Sequence, residues 1–247
     1  GGSIFDGASD GAGGLFAAGH IGGRLPGDTN VWCGRFNSSG DVVWVKNIGS
    51  PSDDFVRALG EDGFGGVFVA GSTEGNLAAP NAGEADVWLA RYDAAGNQLS
   101  IMQFGGPATD LPEGVAPDGF GGAFIGGSTT GALAGPQLGF TDAWVARAES
   151  ASSVSWIKQF GTPSFDAISD VAAAGPGRAF VTGPTGGNMI TGAGQPGVGI
   201  WDAWVALYET CYPDCTGDGA QTVADFGCFQ SKYVLGDPYA DCNASGT

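Results

Sequence analysis

Hydrophobic and polar positions in this 247-residue chain alternate in twos rather than winding at a helical period. Across Asp86–Tyr92, Val87 and Leu89 fall on one side of an extended backbone, and Trp88 and Ala90 on the other. Short stretches of similar character lie at Val67–Ala70, Gln98–Phe104 and around Gly114–Ala116, so this part of the chain predicts four strands to a unit. Asp-Gly and Ala-Gly-Asn steps between them supply the positive φ that tight hairpin turns require. No convincing helical stripe occurs before Thr210.

The units repeat. Asp62-Gly63-Phe64-Gly65-Gly66-Val67-Phe68-Val69-Ala70-Gly71-Ser72-Thr73 returns 56 residues later as Asp118-Gly119-Phe120-Gly121-Gly122-Ala123-Phe124-Ile125-Gly126-Gly127-Ser128-Thr129. Weaker copies begin at Asp10 and Gly175. Trp32, Trp88 and Trp144 keep the same spacing of 56, and Trp204 follows after 60. Four-stranded units at such a period are the sequence form of propeller blades, which bury a continuous core only by stacking on one another. The expected fold class is therefore all-β: a β-propeller of four-stranded antiparallel blades, about four repeats, incomplete or completed in trans. The units are cut at about 1–61, 62–117, 118–173 and 174–209, and a small segment follows over 210–247. Repeated in every unit, the Trp residues read as packing between blades rather than as a sugar-stacking surface. Asp86, Asp142 and Asp202, each two residues before such a Trp, read as turn caps.

The Asp-Gly-x-Gly-x-x-Phe-Val-x-Gly-Ser-Thr strand, the Asp-x-Trp-Val-Ala-Arg strand and the Phe-Gly-Gly or Phe-Gly-Thr end resemble the bacterial SBBP-type β-propeller repeat family, over about Gly1 to Glu209. That resemblance implies a non-catalytic propeller working outside the cell. Strand counting leaves a gap. Residues 1–8 align with the last strand of a unit, and the final unit offers only Ala179–Thr182 and Ala203–Tyr208. If the N-terminal strand closes the last blade, one strand is still missing, and a seven-bladed ring at this period needs about 390 residues. Three expectations follow: a piece of a larger propeller, a small ring with one imperfect blade, or completion by a neighbour's strand that joins molecules through open blade edges.

After Thr210 the texture changes. Asp214-Cys215-Thr216-Gly217-Asp218-Gly219-Ala220-Gln221-Thr222-Val223-Ala224-Asp225 fits a twelve-residue calcium loop with Gly at position 6. Its expected oxygen donors are Asp214, Thr216, Asp218, the Ala220 carbonyl, Thr222 and Asp225, a hard set that suits Ca2+. Phe226, Phe229, Gln230, Tyr233 and Val234 then give a helical stripe, stopped at Gly236-Asp237-Pro238. A second, incomplete loop offers Asp241, Asn243 and Ser245. The segment is an EF-hand-like loop and helix that resembles a type I dockerin repeat, in the form where Cys follows the first loop Asp. Thr216 departs from the Asn or Asp usual at position 3, and Val223 and Ala224 occupy the positions that help a dockerin recognise a cohesin. The resemblance implies a cohesin-like or cell-surface partner.

Composition sharpens these expectations. With 26 acidic against 9 basic residues the net charge is -17, which argues against nucleic-acid partners and anionic membrane surfaces. No apolar run is long enough for a spanning helix, so no membrane insertion is expected, and the absence of a visible signal peptide suggests a processed chain or a fragment. Of five cysteines, Cys211, Cys215, Cys228 and Cys242 cluster near the C-terminus, as a stapled module in an oxidising compartment would, with three pairings open. Cys33 stands alone in a strand as a small hydrophobe. No catalytic set and no organic cofactor site is read. His20 is the single histidine, Gly192–Gly197 matches a dinucleotide motif without the following helix, and Asp53 and Asp54 point to opposite faces of a strand. The expectation is a secreted or surface-exposed bacterial scaffold or adhesive protein that is not an enzyme. Alternatives are a carbohydrate-binding or polysaccharide-degrading module recruited through a dockerin, or a self-assembling subunit that forms a homo-oligomer or polymer.

Overall fold

In a computed structural model of the chain, the described residues are 2–22, 29–150, 152–189 and 201–209. They form fifteen strands and no helix. The first sheet runs β1 (Asp6–Ser9), β2 (Leu15–Ile21), β3 (Asn30–Phe36) and β4 (Val42–Ile48); the second β5 (Asp54–Glu61), β6 (Val67–Thr73), β7 (Asp86–Tyr92) and β8 (Gln98–Phe104). The third holds β9 (Asp110–Pro117), β10 (Ala123–Thr129), β11 (Asp142–Glu149) and β12 (Ser153–Phe160). The fourth is three-stranded: β13 (Asp170–Ala173), β14 (Arg178–Thr185) and β15 (Asp202–Glu209). All pairings within the sheets are antiparallel, in strict chain order.

The period is the expected one; the phase is not. The strand that precedes each Asp-Gly turn pairs with the strand that follows it, so Gly114–Ala116 belongs to β9 of the third sheet and does not complete the second. The N-terminal strand is corrected in the same way. It does not close the last sheet but opens the first, with Asp6 opposite Ala18 and Ser9 opposite Leu15. A two-sided turn signal cannot tell which pair of flanking strands shares a sheet; the hairpin geometry decides. Gly63 and Gly119 adopt φ of 76° and 80°, the left-handed region that lets so short a turn close.

The sheets pack face against face in chain order, with inner strand β1 against β5, β5 against β9 and β9 against β13. One core joins Phe16, Val31, Cys33 and Ile48 of the first sheet to Val67, Val69, Trp88 and Tyr92 of the second. Another joins Phe68, Val87, Leu89 and Met102 to Ile125, Trp144 and Ala146. This is a β-propeller arrangement of blades. The chain divides into two compact units, Gly1–Leu207 and Tyr208–Thr247. The calcium loops, the helix stripe after them and the four clustered cysteines lie outside the described residues, as does Gly192–Gly197.

Candidate functional site

Three families of buried carboxylates recur with the repeat, and each closes a turn. Asp10, Asp62 and Asp118 accept two backbone N–H groups apiece across the Asp-Gly turn, from Ala12 and Gly14, Phe64 and Gly66, and Phe120 and Gly122, at 2.6–2.8 Å. Their second oxygens receive Arg35, Arg91 and Arg147 at 2.6–2.9 Å. Two of these guanidiniums reach onward to the neighbouring sheet, Arg35 to the Ala94 carbonyl and Arg91 to that of Gly121, so a turn clamp is also a tie between sheets. The Ala12 N–H, with Arg35 beside it, holds the Asp10 carboxyl below its ordinary range.

Asp86 and Asp142 cap loops, accepting N–H groups of Ala82 and of Leu138 and Gly139, and each also takes the amide of a paired glutamine, Gln103 or Gln159. Asp54, Asp110 and Asp166 cap a further loop through Ser50, Gly106 and Thr162. Burial, with Asp86 close by, pushes Asp110 upward. Asp53 faces elsewhere, accepting the Thr29 N–H, so the adjacent pair Asp53 and Asp54 does not converge on one site. Three of the repeated tryptophans lie between sheets, Trp88 and Trp144 wholly buried and Trp204 nearly so, each donating its indole N–H to a backbone carbonyl of the strand beside it. Trp32 instead lies on the uncovered face of the first sheet and donates to the Ser3 carbonyl, against the expectation that it packs between blades.

The repeat breaks on the inner strands. Phe5, Arg57, Glu113 and Ser169 occupy one equivalent position and share no chemistry. Between the second and third sheets, Phe55, Arg57, Ser72, Glu74, Glu84 and Leu111 help to line a cleft of about 500 Å³. Glu84 accepts the Thr109 hydroxyl at 2.7 Å, and Arg57 lies 3.6 Å from Glu113. Burial pushes the Glu113 carboxyl up against the opposing pull of Arg57. The Arg57 Nε is buried and has no hydrogen-bond partner. Sequence reading passed over Arg57, Glu84 and Glu113; the available signal was that Arg57 and Glu113 differ where everything around them repeats.

His20 is no base. Its Nε2 accepts the Val56 N–H at 3.1 Å, which places the ring proton on Nδ1, and Asp6 accepts the Leu59 N–H at 2.8 Å. Both side chains of the first sheet thus satisfy backbone of the inner strand next to it, where a bulge interrupts the β5–β6 ladder. Burial pushes the His20 imidazole down. Among the described residues no three His, Cys, Asp or Glu side chains gather to hold a metal ion, and no helix is long and apolar enough to cross a membrane.

Side-by-side sheets with a cleft at their inner strands define an all-β protein of β-propeller type. No family model matches the chain, and no curated protein matches it. Of the solved structures, a luciferin-regenerating enzyme is similar at 14% identity and a TM-score of 0.43, over 73% of this chain and 53% of that one. The chain therefore spans about half the length of that structure. The expectation that this chain is not an enzyme is corrected here, because a structure similar to it bears an enzyme's name. A match at that identity and TM-score assigns no activity to this chain.

Proposed function

We propose that this chain is a secreted bacterial blade-repeat scaffold of SBBP type, structural or adhesive in role, with a calcium-loop tail of type I dockerin kind. One observation supports the reading above the rest. The recurring buried charges, Asp10 with Arg35, Asp62 with Arg91 and Asp118 with Arg147, close turns, and the first two also tie neighbouring sheets, which makes the repeat a rigid support. In the tail, Asp214, Asp218 and Asp225 with Thr216, Thr222 and the Ala220 carbonyl would hold Ca2+, and the acidic balance of the chain favours a divalent cation. The test uses the whole chain, labelled and applied to bacterial cells with calcium or with chelator. Retention on cells in calcium, lost in chelator and lost in Asp214→Ala/Asp218→Ala, is the expected result. Retention that ignores both removes the tail from the reading, and no retention removes the adhesive role.

The cleft supports a second reading, a carbohydrate subsite. Phe55 offers an aromatic face, while Arg57, Glu74 and Glu84 offer the donors and acceptors that pair with sugar hydroxyls. A glycan array on wild type and Arg57→Ala tests it, with hydrolysis of each bound glycan followed in parallel. Binding that survives Arg57→Ala places the sugar elsewhere.

A further inference from the structure

Every internal joint between sheets has two unlike halves. One half carries a Phe from the second strand and an apolar residue from the third: Phe16 with Cys33, Phe68 with Leu89, Phe124 with Val145, all fully buried. The other half carries the repeated Trp, as in Trp88, Trp144 and Trp204. The halves meet through aromatic edges, with Phe104 against Trp144 at 5.8 Å and Phe160 against Trp204 at 5.5 Å. At the two ends of the stack, one half of each kind is left over. On the last sheet the Phe half is bare, with Phe180 48% and Val205 68% exposed. On the first sheet it is the Trp half, with Leu15 45% and Val45 47% exposed at the positions where the second sheet buries Val67 and half-buries Ile101.

We infer, building on the scaffold reading, that the bare face of the last sheet receives the first sheet of a second copy of this chain. The occupant is specified by the chain itself. The face around Phe180 is the counterpart of the one around Phe124, and what covers Phe124 is a Trp-bearing sheet of the same repeat. In a chain of net charge -17, Leu15, Trp32, Phe36 and Val45 on the first-sheet face carry no carboxylate, and beside Phe180, Thr182, Val205 and Leu207 the last face carries Asp170, opposite Thr182, and Glu209. Leu207 stands where Arg35, Arg91 and Arg147 stand in the earlier sheets, while Arg178 and Asp170 stand where the third sheet has Gly122 and Gly114. Such a contact is head-to-tail, and it closes when the accumulated rotation permits. The described residues of each chain contribute four sheets, so two copies bring eight, within the range of closed propellers.

Light scattering and sedimentation of the whole chain over a wide concentration range provide the test. The expected mass is twice 24.7 kDa. Val205→Arg and Leu15→Arg should each weaken association by about 100-fold. Mixing the two variants should restore a dimer, because each retains the face that the other has lost. Unchanged near-ultraviolet circular dichroism in both variants establishes that the internal sheets remain folded. Masses that climb past the dimer and fall in the same variants uphold the joint and overturn the closed ring. A monomer at every concentration overturns the inference; if amides of β14 and β15 then exchange slowly, the chain's own residues cover the face. A dimer insensitive to both variants overturns it too. The scaffold reading stands or falls separately, on retention at cells.

Discussion

The second and third sheets and the last sheet come from the same repeat, yet they live in different surroundings. In β6 every residue is buried, and β7, β10 and β11 are nearly so. In β14 and β15 burial mostly alternates, one side covered and the other largely open. Phe124 and Phe180 are the same residue at the same repeat position, fully buried in one sheet and 48% exposed in the other. A blade therefore has no core of its own. Each sheet contributes two faces, and a neighbour makes a core of each, as in repeat proteins whose stability is a sum over joints. The last sheet also lacks the clamp, with Ala174 and Leu207 standing where Asp118 and Arg147 stand in the third.

The widest difference should appear on truncating the equivalent phenylalanines. Phe124→Ala empties a buried site between two sheets and should cost about 3–5 kcal/mol. Phe180→Ala, measured by urea denaturation at dilutions where the chain is monomeric, should cost about 1 kcal/mol or less. Equal costs would mean that the last sheet is covered in solution and would break the comparison. Next comes the clamp. Arg91→Ala leaves Asp62 buried without its cation and should cost about 3 kcal/mol. Arg57→Ala removes a looser pair in which both partners are about a third exposed, and should cost about 0–1 kcal/mol. The reverse order in denaturation midpoints would place the structural charge at the cleft instead of the turns.

Much of this was legible in the sequence, for definable reasons. Strand existence followed from two-residue alternation at Val87, Trp88, Leu89 and Ala90, and the interior role of Trp88 and Trp144 from their recurrence. The turn-capping roles of Asp86 and Asp142 were likewise foreseen, because a short carboxylate next to Gly-rich loops has N–H groups within reach. Sheet phase was not legible. Asp54–Glu61 and Val67–Thr73 flank an Asp-Gly turn, but membership of one sheet is a matter of hydrogen bonds that composition does not encode. The cleft was missed because Arg57 and Glu113 belong to different repeats and meet only when two sheets pack. Nothing near His20 in the chain announces that its acceptor would serve Val56, 36 residues on.

A smaller effect should separate the first sheet from the second. The folded His20 imidazole sits below its ordinary 6.5 because burial disfavours the cation. The unfolded chain then binds more protons just below that value, so stability is full above about pH 6.5 and declines as pH falls towards the folded value. Asp10 and Asp93, held low by the N–H groups they accept, lose their contribution only further down, as pH falls below about 4. Thermal melts between pH 7.5 and 5 should therefore show a decline that His20→Gln abolishes. An unchanged decline in that variant would remove His20 from the joint between the first two sheets.

The smallest perturbation is the most discriminating. Cys33 is a free thiol on the face of the first sheet that meets the second, at the position of Leu89 and Val145, and burial pushes it up to about 12. Since only the thiolate reacts, and only when a reagent reaches it, modification of Cys33 at pH 8 reports the opening of that one joint. Labelling should run at least about 100-fold slower than on an unstructured cysteine peptide, with peptide mass spectrometry separating Cys33 from the four cysteines near the C-terminus. If joints open singly, then at dilutions where the chain is monomeric the first sheet, held on one side, should part from the second more often than the whole chain unfolds. Cys33 should then label faster than the global stability allows, and Trp88→Ala should accelerate labelling more than Trp144→Ala, because only Trp88 lies in that joint. Labelling that tracks global unfolding in every variant would instead make the stack a single cooperative block, in which end sheets differ from central ones in exposure but not in strength.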